Sequence, residues 1–334
     1  MKKYLFIVLM SLLCTMCSSG SDWQDVLDGA HKNPSQPVTP GNKEEPEDTP
    51  SGPAGETFIA LGIFTDSHYS ATKENRTERY YKASKQKIES AVATFNSEKV
   101  NMVLSLGDIV DNEFDDYADI AQYLDRLDMP FYKVLGNHDF VTPFSLEQQA
   151  AALKVLGISN RYFSVSTDDL RLIFLDGSDV AKYSNEDESE GYRKAEEMLE
   201  ELKDDLAANA KNYNGAIGKA QRDWLDAELR AAQLASQNVI CFSHIPLFVK
   251  DGEKYTLWNG EDVLDMLTPY SCVKAYVAGH HHVGGYSDKG GIHHITLKGM
   301  VQGPDNSYAI VRIYKDRIVI DGYGREEDRE YKFR

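Results

Sequence analysis

Residues 100–139 read VNMVLSLGDIVDNEFDDYADIAQYLDRLDMPFYKVLGNHD. The apolar run over 100–106 is strand-like and ends on Gly107-Asp108. A helical pattern follows over 114–127, and a second apolar run over 131–135 ends on Gly136-Asn137-His138-Asp139. Strand, polar motif, helix, strand, polar motif is the order of a parallel crossover, because parallel strands need a long connection and a helix supplies it. The same order stands just upstream. Residues 58–64 read as a strand running into Thr65-Asp66, and residues 77–95 carry the spacing of one long helix.

Outward from this core the pattern persists. Ser145 with Gln148 makes a capping box for a helix that stops at Gly157. Residues 162–166 and 170–176 flank the turn Thr167-Asp168-Asp169 as a hairpin. Residues 179–218 are a polar, acidic excursion, helical around 192–206. The helix over 220–234 sets Trp224, Leu225, Leu229 and Ala232 on one stripe. Residues 238–242 and 273–278 are strands that run directly into histidines. Strands over 292–297, 308–314 and 317–323 close the chain, the last two joined at Lys315-Asp316. The expectation is one α/β domain over 57–334, with two sheets face to face and helices outside.

The N-terminus has a different grammar. Lys2 and Lys3 precede an apolar run over 4–13, too short for a membrane span and matching a signal peptide. Cys14 and Cys17 follow, so residues 1–17 are expected to direct export, with Cys17 the candidate for a lipid anchor. Six of the eleven prolines fall between Pro34 and Pro53, which marks 18–56 as a tether without a core of its own. Export places the domain in the periplasm or at the cell surface, and it meets a membrane only through the lipid if one is attached. Cys241 and Cys272 then remain in the domain, read as core thiols with a disulfide left open. The formal charge of −17 argues against a nucleic-acid polymer as partner, and a phosphorylated small molecule would need a local positive centre.

Such a centre is readable. Asp66-Ser67-His68, Gly107-Asp108 with Asp111, Gly136-Asn137-His138, Ser243-His244 and Gly279-His280-His281-His282 each follow an apolar strand. Ligands gather beyond the carboxyl ends of strands in α/β sheets, so separated motifs can meet in one crevice. Asp66, His68, Asp108, Asn137, His244, His280 and His282 offer oxygen and imidazole donors for two divalent ions, about 3.5–4 Å apart if Asp108 bridges them. Mixed donors of this kind favour Mn, Fe or Zn over Ca or Mg. Two divalent ions against two carboxylates and a hydroxide leave the positive centre that a phosphate requires. His138 is the candidate proton donor to a leaving oxygen, oriented by Asp111. His281, at the middle of its run, is expected to support its neighbours or face solvent, and His293 and His294, inside a terminal strand, to be structural.

These motifs resemble the calcineurin-like metallophosphoesterases, whose pattern is Asp-x-His, Gly-Asp, Gly-Asn-His-Asp/Glu, His and Gly-His-x-His. The resemblance implies a four-layer α/β-β/α sandwich. It implies one metal on Asp66, His68, Asp108 and His282, and a second on Asp108, Asn137, His244 and His280. A narrower resemblance, to the manganese-dependent ADP-ribose/CDP-alcohol diphosphatases, extends from about Phe58 to Arg329. It rests on Arg79-Tyr80-Tyr81, Leu106-Gly107-Asp108-Ile109-Val110-Asp111, Ser243-His244-Ile245-Pro246, Leu257-Trp258-Asn259, Ala278-Gly279-His280, Gly284-Gly285-Tyr286-Ser287 and Asp321-Gly322-Tyr323-Gly324-Arg325. It implies cleavage of the pyrophosphate in a nucleoside diphosphate derivative. Animal and plant members carry Gln where this chain has His68, and their substrates are cytosolic, so another exported phosphodiesterase or phosphomonoesterase stays open. A non-catalytic metal- or nucleotide-binding protein is the alternative of a different class. Asn137, His138, Arg79, Tyr81, Trp258, Asn259 and Tyr286 are the candidates for touching substrate.

Overall fold

The computed structural model describes residues 58–76 and 78–334; the expected leader over 1–17 and tether over 18–56 lie outside the described residues. In chain order the strands are β1 (Phe58–Phe64), β2 (Met102–Ser105), β3 (Phe131–Lys133), β4 (Phe163–Ser166), β5 (Leu170–Phe174), β6 (Asn238–Phe242), β7 (Val273–Ala278), β8 (Gly285–Lys289), β9 (Ile292–Thr296), β10 (Ser307–Tyr314), β11 (Arg317–Gly324) and β12 (Arg329–Lys332). The helices are α1 (Ser84–Glu98), α2 (Asp116–Leu124), α3 (Leu146–Val155), α4 (Glu190–Asp204), α5 (Lys219–Leu234) and α6 (Gly260–Leu267).

The strands form two six-stranded sheets, ordered β12-β11-β10-β1-β2-β3 and β4-β5-β6-β7-β9-β8. Within them β1, β2 and β3 are parallel, as are β5, β6, β7 and β9. Parallel strands covered on both faces read as continuous apolar runs, and side-chain alternation assigns each residue a layer. On β1, Ile59, Leu61 and Ile63 enter the layer between the sheets, where they meet Leu172, Phe174, Ile240 and Phe242. Phe64 faces outward to a layer shared with Ile88, Val92 and Phe95 of α1 and Tyr117 and Ile120 of α2. Val239 and Cys241 face the opposite outer layer, under Leu225 and Leu229 of α5 and Val263 and Leu267 of α6. The result is the expected α/β-β/α sandwich. Gly62 on β1 leaves no room for a side chain, because a Cβ there would press 2.6 Å from the Phe95 ring of α1.

Ser145 caps α3 by accepting from the Gln148 amide, and Gly157, at φ +67°, follows the end of that helix. Cys241 and Cys272 are free, buried thiols.

Three details differ from expectation. The first helix starts at Ser84, seven residues later than the periodicity implied. Tyr80 N donates to Val301 O (2.8 Å), Gly303 N donates to Glu78 O (3.0 Å), and Arg79 bridges to Gln302. These tertiary pairings hold the segment before α1 extended against the far loop, overriding its helical spacing. β8 and β12 are polar edge strands whose alternation is too weak to read. β8 is folded onto β9 by Gly290 and Gly291, both at positive φ.

Candidate metal centre

The loops that follow β1, β2, β3, β6 and β7 meet at one end of the sandwich. Asp66 (φ 53°), His68 (φ 43°), Asp108 (φ 54°) and His280 (φ 65°) all sit in the left-handed region. Each costs about 1–2 kcal/mol for a residue with a Cβ, and local hydrogen bonds offset it. Asp66 N donates to Gly107 O (3.0 Å), His68 N to Asp108 O (2.8 Å), and Val301 N to Asp66 O (2.9 Å). Gly107, at φ +97°, has no room for a side chain, since a Cβ there would stand 2.5 Å from Gly136 N and 2.8 Å from His244 Nδ1.

Asp139 ties the second and third loops together. Its carboxylate accepts from Asp108 N (2.7 Å), Ile109 N (2.7 Å) and Gly136 N (2.9 Å). Burial, and after it the charge of Asp108, push its pKa up to about 7 against the pull of those amides. Asp139, the last residue of the Gly136-Asn137-His138-Asp139 motif, thus braces the backbone beneath the centre.

The side chains converge as two sets that share Asp108. In one, His282 Nε2 lies 3.1 Å from Asp66 Oδ1 and 3.2 Å from His68 Nε2. In the other, His244 Nε2 lies 3.0 Å from His280 Nδ1 and 3.3 Å from Asn137 Oδ1. Asp108 Oδ2 is 3.3 Å from both His68 Nε2 and His244 Nε2, the position of a bridge. Ring nitrogens facing one another and a buried Asp66 Oδ1 without an aligned hydrogen-bond donor are what a cation site requires. The donor set therefore fits two divalent ions.

The electrostatics agree. Burial disfavours charge on His68, but Asp108, Asp111 and Asp66 outweigh it and raise the ring to about 9. His244 is raised to about 9 in the same way, with Asp108 again the main opponent of burial. Burial also opposes ionisation of Asp66, yet His282, His68 and His244 hold it well below the usual carboxylate range. A field that draws protons to these rings is a field that holds cations.

Beside the centre, His138 Nδ1 lies 2.6 Å from Asp111 Oδ1, and its side chain is 25% exposed. The same oxygen stands 3.1 Å from His68 Nδ1. Lys73, not anticipated from sequence, pairs with Asp111 Oδ2 and donates to its carbonyl (2.9 Å). Burial works against the Asp111 charge, but His138 and His68 hold the carboxyl below its ordinary range.

A family model for calcineurin-like phosphoesterases matches residues 59–284. The chain belongs to the calcineurin-like phosphoesterase family. It is 30% identical to a manganese-dependent ADP-ribose/CDP-alcohol diphosphatase of Xenopus laevis, over 84% of this chain and 92% of the relative. It is 27% identical to one of Arabidopsis thaliana, over 84% and 98% of the two chains. Among solved structures it resembles a dimetal phosphatase of Danio rerio, with a TM-score of 0.72 at 29% identity over 83% and 99% of the chains. A yellow lupin purple acid phosphatase, at 11% identity, covers 84% of this chain and 54% of its own, and its TM-score of 0.53 shows a shared fold. This phosphoesterase is thus a metal-dependent enzyme, and its two Asp/His sets form a dinuclear divalent-metal centre.

The remaining candidates of this phosphoesterase divide. Arg79 is half-buried at the rim, bridged to Gln302, whose amide reaches His282 Nδ1 at 3.3 Å. Tyr81 is buried beneath the Lys73 ammonium, 5.9 Å from ring to nitrogen. Three candidates lie elsewhere than expected. Trp258 is buried with Ala195, Leu199 and Ala216 and donates from Nε1 to Lys211 O (3.2 Å), because α4 needs an apolar cover. Asn259 spends its amide on Ile217, accepting from its N (3.1 Å) and donating to its O (2.9 Å). Tyr286 stacks on Tyr331 with centroids 4.1 Å apart and packs toward the layer between the sheets. The aromatic rings that do border the centre are Tyr213 and Tyr255, half-buried, with centroids 5.7 and 5.9 Å from His280. Tyr213 comes from a turn and Tyr255 from a single 3-10 turn over Glu253–Tyr255, both too short to show a period. His281 stacks on Tyr255 at 4.7 Å.

Proposed function

We propose that the protein hydrolyses the pyrophosphate of nucleoside diphosphate derivatives of the ADP-ribose and CDP-alcohol type. The observation that carries this reading is likeness to diphosphatases of that name over nearly their whole length, joined to a complete dinuclear centre. Tyr213 and Tyr255 support it. Their rings, 5.8 Å apart and inclined by 29°, lie beside His280, where aromatic surface suits a base next to the phosphates.

Asp66, His68, Asp108 and His282 would hold one ion, and Asp108, Asn137, His244 and His280 the other. A divalent pair held there supplies Lewis-acid charge to phosphoryl oxygens and lowers the pKa of a nucleophilic water. The protein's own part is orientation and proton transfer. Asn137 and Arg79 position phosphoryl oxygens. Water adds to one phosphorus as the bond to the bridging oxygen breaks, and His138, aligned by Asp111, donates a proton to the departing phosphate. The products are a nucleoside monophosphate and a phosphorylated partner.

Export belongs to the same reading. The signal-like run over 4–13 and the tether over 18–56 suit a periplasmic or cell-surface enzyme, anchored by lipid if Cys17 is acylated. Mass spectrometry of the mature N-terminus and cell fractionation test this, and an uncleaved chain in the cytosol ends it.

The deciding experiment is a substrate panel after reconstitution with Mn, Fe, Zn or Co. ADP-ribose, CDP-choline, cyclic nucleotides, a glycerophosphodiester and simple monoesters are compared with product identification. AMP plus ribose 5-phosphate from ADP-ribose, with monoesters spared, is the expected result. Preferential monoester turnover overturns the substrate class, and tight binding without turnover of any compound overturns the enzyme.

A further inference from the structure

His280 is turned the opposite way from the other histidines of the centre. His68, His244 and His282 present Nε2 to it, whereas His280 presents Nδ1, 3.0 Å from His244 Nε2. A neutral imidazole has one lone pair and one N–H. Nδ1 is free to bind a cation only if the proton is on Nε2, and a buried N–H needs an acceptor. That acceptor is Asn214 Oδ1, at 2.9 Å, on a side chain that is fully buried.

The amide of Asn214 can point only one way. Its Nδ2 donates to Asn209 O and to Lys254 O, both at 2.9 Å. Both N–H groups are used, so the atom facing His280 is the carbonyl oxygen, which accepts and cannot donate. Two backbone carbonyls therefore dictate the tautomer of His280 through Asn214. The loop that carries Asn214 is itself stapled. Asn209 Nδ2 donates to Leu257 O (2.7 Å), Trp258 N to Gly215 O (2.8 Å), and Asn259 closes a two-way bond with Ile217. Trp258 and Asn259, candidates for substrate contact in the sequence, lie with Leu257 in the segment that holds this loop in place.

We infer that Asn214 is a positioning residue of the metal centre: it fixes His280 as the Nε2–H tautomer and so delivers Nδ1 to the ion shared with Asp108 and His244. The inference rests on the reading of these residues as metal ligands. Partners that fix a ligand histidine are typically worth roughly 10–100-fold in metal affinity.

Asn214→Asp and Asn214→Leu separate this role from that of a simple staple, because both lose the two N–H donations but only the aspartate keeps an acceptor for His280. Manganese binding to the full chain is followed by equilibrium dialysis with elemental analysis, alongside thermal unfolding in EDTA. Both variants are expected to unfold at lower temperature. N214L should bind one of two ions roughly 10–100-fold more weakly, while N214D stays close to wild type. Equal weakening in both variants, or unchanged binding in N214L, overturns the inference. NMR of isotope-labelled histidine in the zinc-loaded wild-type chain is independent of whether a variant folds. It should show His280 bound through Nδ1 with its proton on Nε2, and binding through Nε2 overturns the inference. Wild-type protein that takes up fewer than two ions strikes at the dinuclear reading itself.

Discussion

Two histidine pairs lie close together in the chain and differ in almost everything else. His280 and His282 follow the end of β7; His293 and His294 lie inside β9, the strand paired with it. All four are buried. His293 is held between Tyr286 Oη (2.9 Å) and Lys332 O (2.9 Å), and His294 Nε2 meets Lys289 O at 3.1 Å. These neutral partners, or one of them, leave a ring as part of the packing. The rings after β7 face carboxylates and other imidazoles across 3.0–3.2 Å. Within a strand, alternation sends two successive side chains into different layers, so adjacent rings cannot converge on one ion. Beyond its end, several loops reach one space. Burial alone does not distinguish function from packing, whereas the polarity and convergence of the partners do.

The comparison is broken most severely at Asp108, equidistant from rings of both sets. Asp108→Asn is expected to lower kcat/KM by roughly 10³-fold or more, about 4 kcal/mol of transition-state stabilisation, and to reduce bound metal below two ions by elemental analysis. Retention of both ions with full activity defeats its bridging role. His138→Asn should leave metal content intact while lowering kcat by roughly 10²–10⁴-fold. The loss should be largest for substrates with poor leaving groups and small for an activated aryl phosphodiester. Equal losses on both remove the proton-donor role.

Much of this was legible because the centre is built from the simplest signal a sequence carries, an apolar strand followed at once by a ligand. Asp66, Asp108, Asn137, His244, His280 and His282 all obey it. Asn214 and Lys73 do not. Each acts through a fold-level approach of distant segments, Asn214 from the polar excursion and Lys73 from the loop between β1 and α1, so neither has a local pattern to announce it. Trp258, Asn259 and Tyr286 were misplaced for the converse reason. They stand in or beside loops near the motifs, but apolar cover and backbone pairing claimed their side chains. The sandwich itself was readable from strand order, while β8 and β12, polar edge strands, were not.

The pair on β9 gives predictions of the opposite kind, in stability and not in turnover. Burial pushes the His294 ring down to about 4 despite its bond to the Lys289 carbonyl. The unfolded ring, at about 6.5, takes up a proton that the folded ring refuses. The stability that follows is fully present above about 6.5 and is lost as pH falls toward 4, a total of about 3 kcal/mol. Denaturant unfolding of the metal-loaded protein between those limits should show a shallower pH slope in His294→Leu than in wild type. Identical slopes mean the ring is not the group responsible.

The smallest effect sharpens the contrast best. Glutamine is close in reach to histidine and keeps a donor and an acceptor, so His293→Gln can still span Tyr286 and the Lys332 carbonyl. It should cost about 1 kcal/mol or less of stability and leave kcat and metal content unchanged. The same substitution at His282 removes an imidazole that faces Asp66 and His68. There the amide is a poorer donor to a borderline cation, so metal affinity should fall while the fold persists. Dialysis against a metal buffer, run on both variants, compares the two pairs with the same chemical change. If His293→Gln loses metal as His282→Gln does, a strand interior reaches the centre after all and the distinction between the pairs fails.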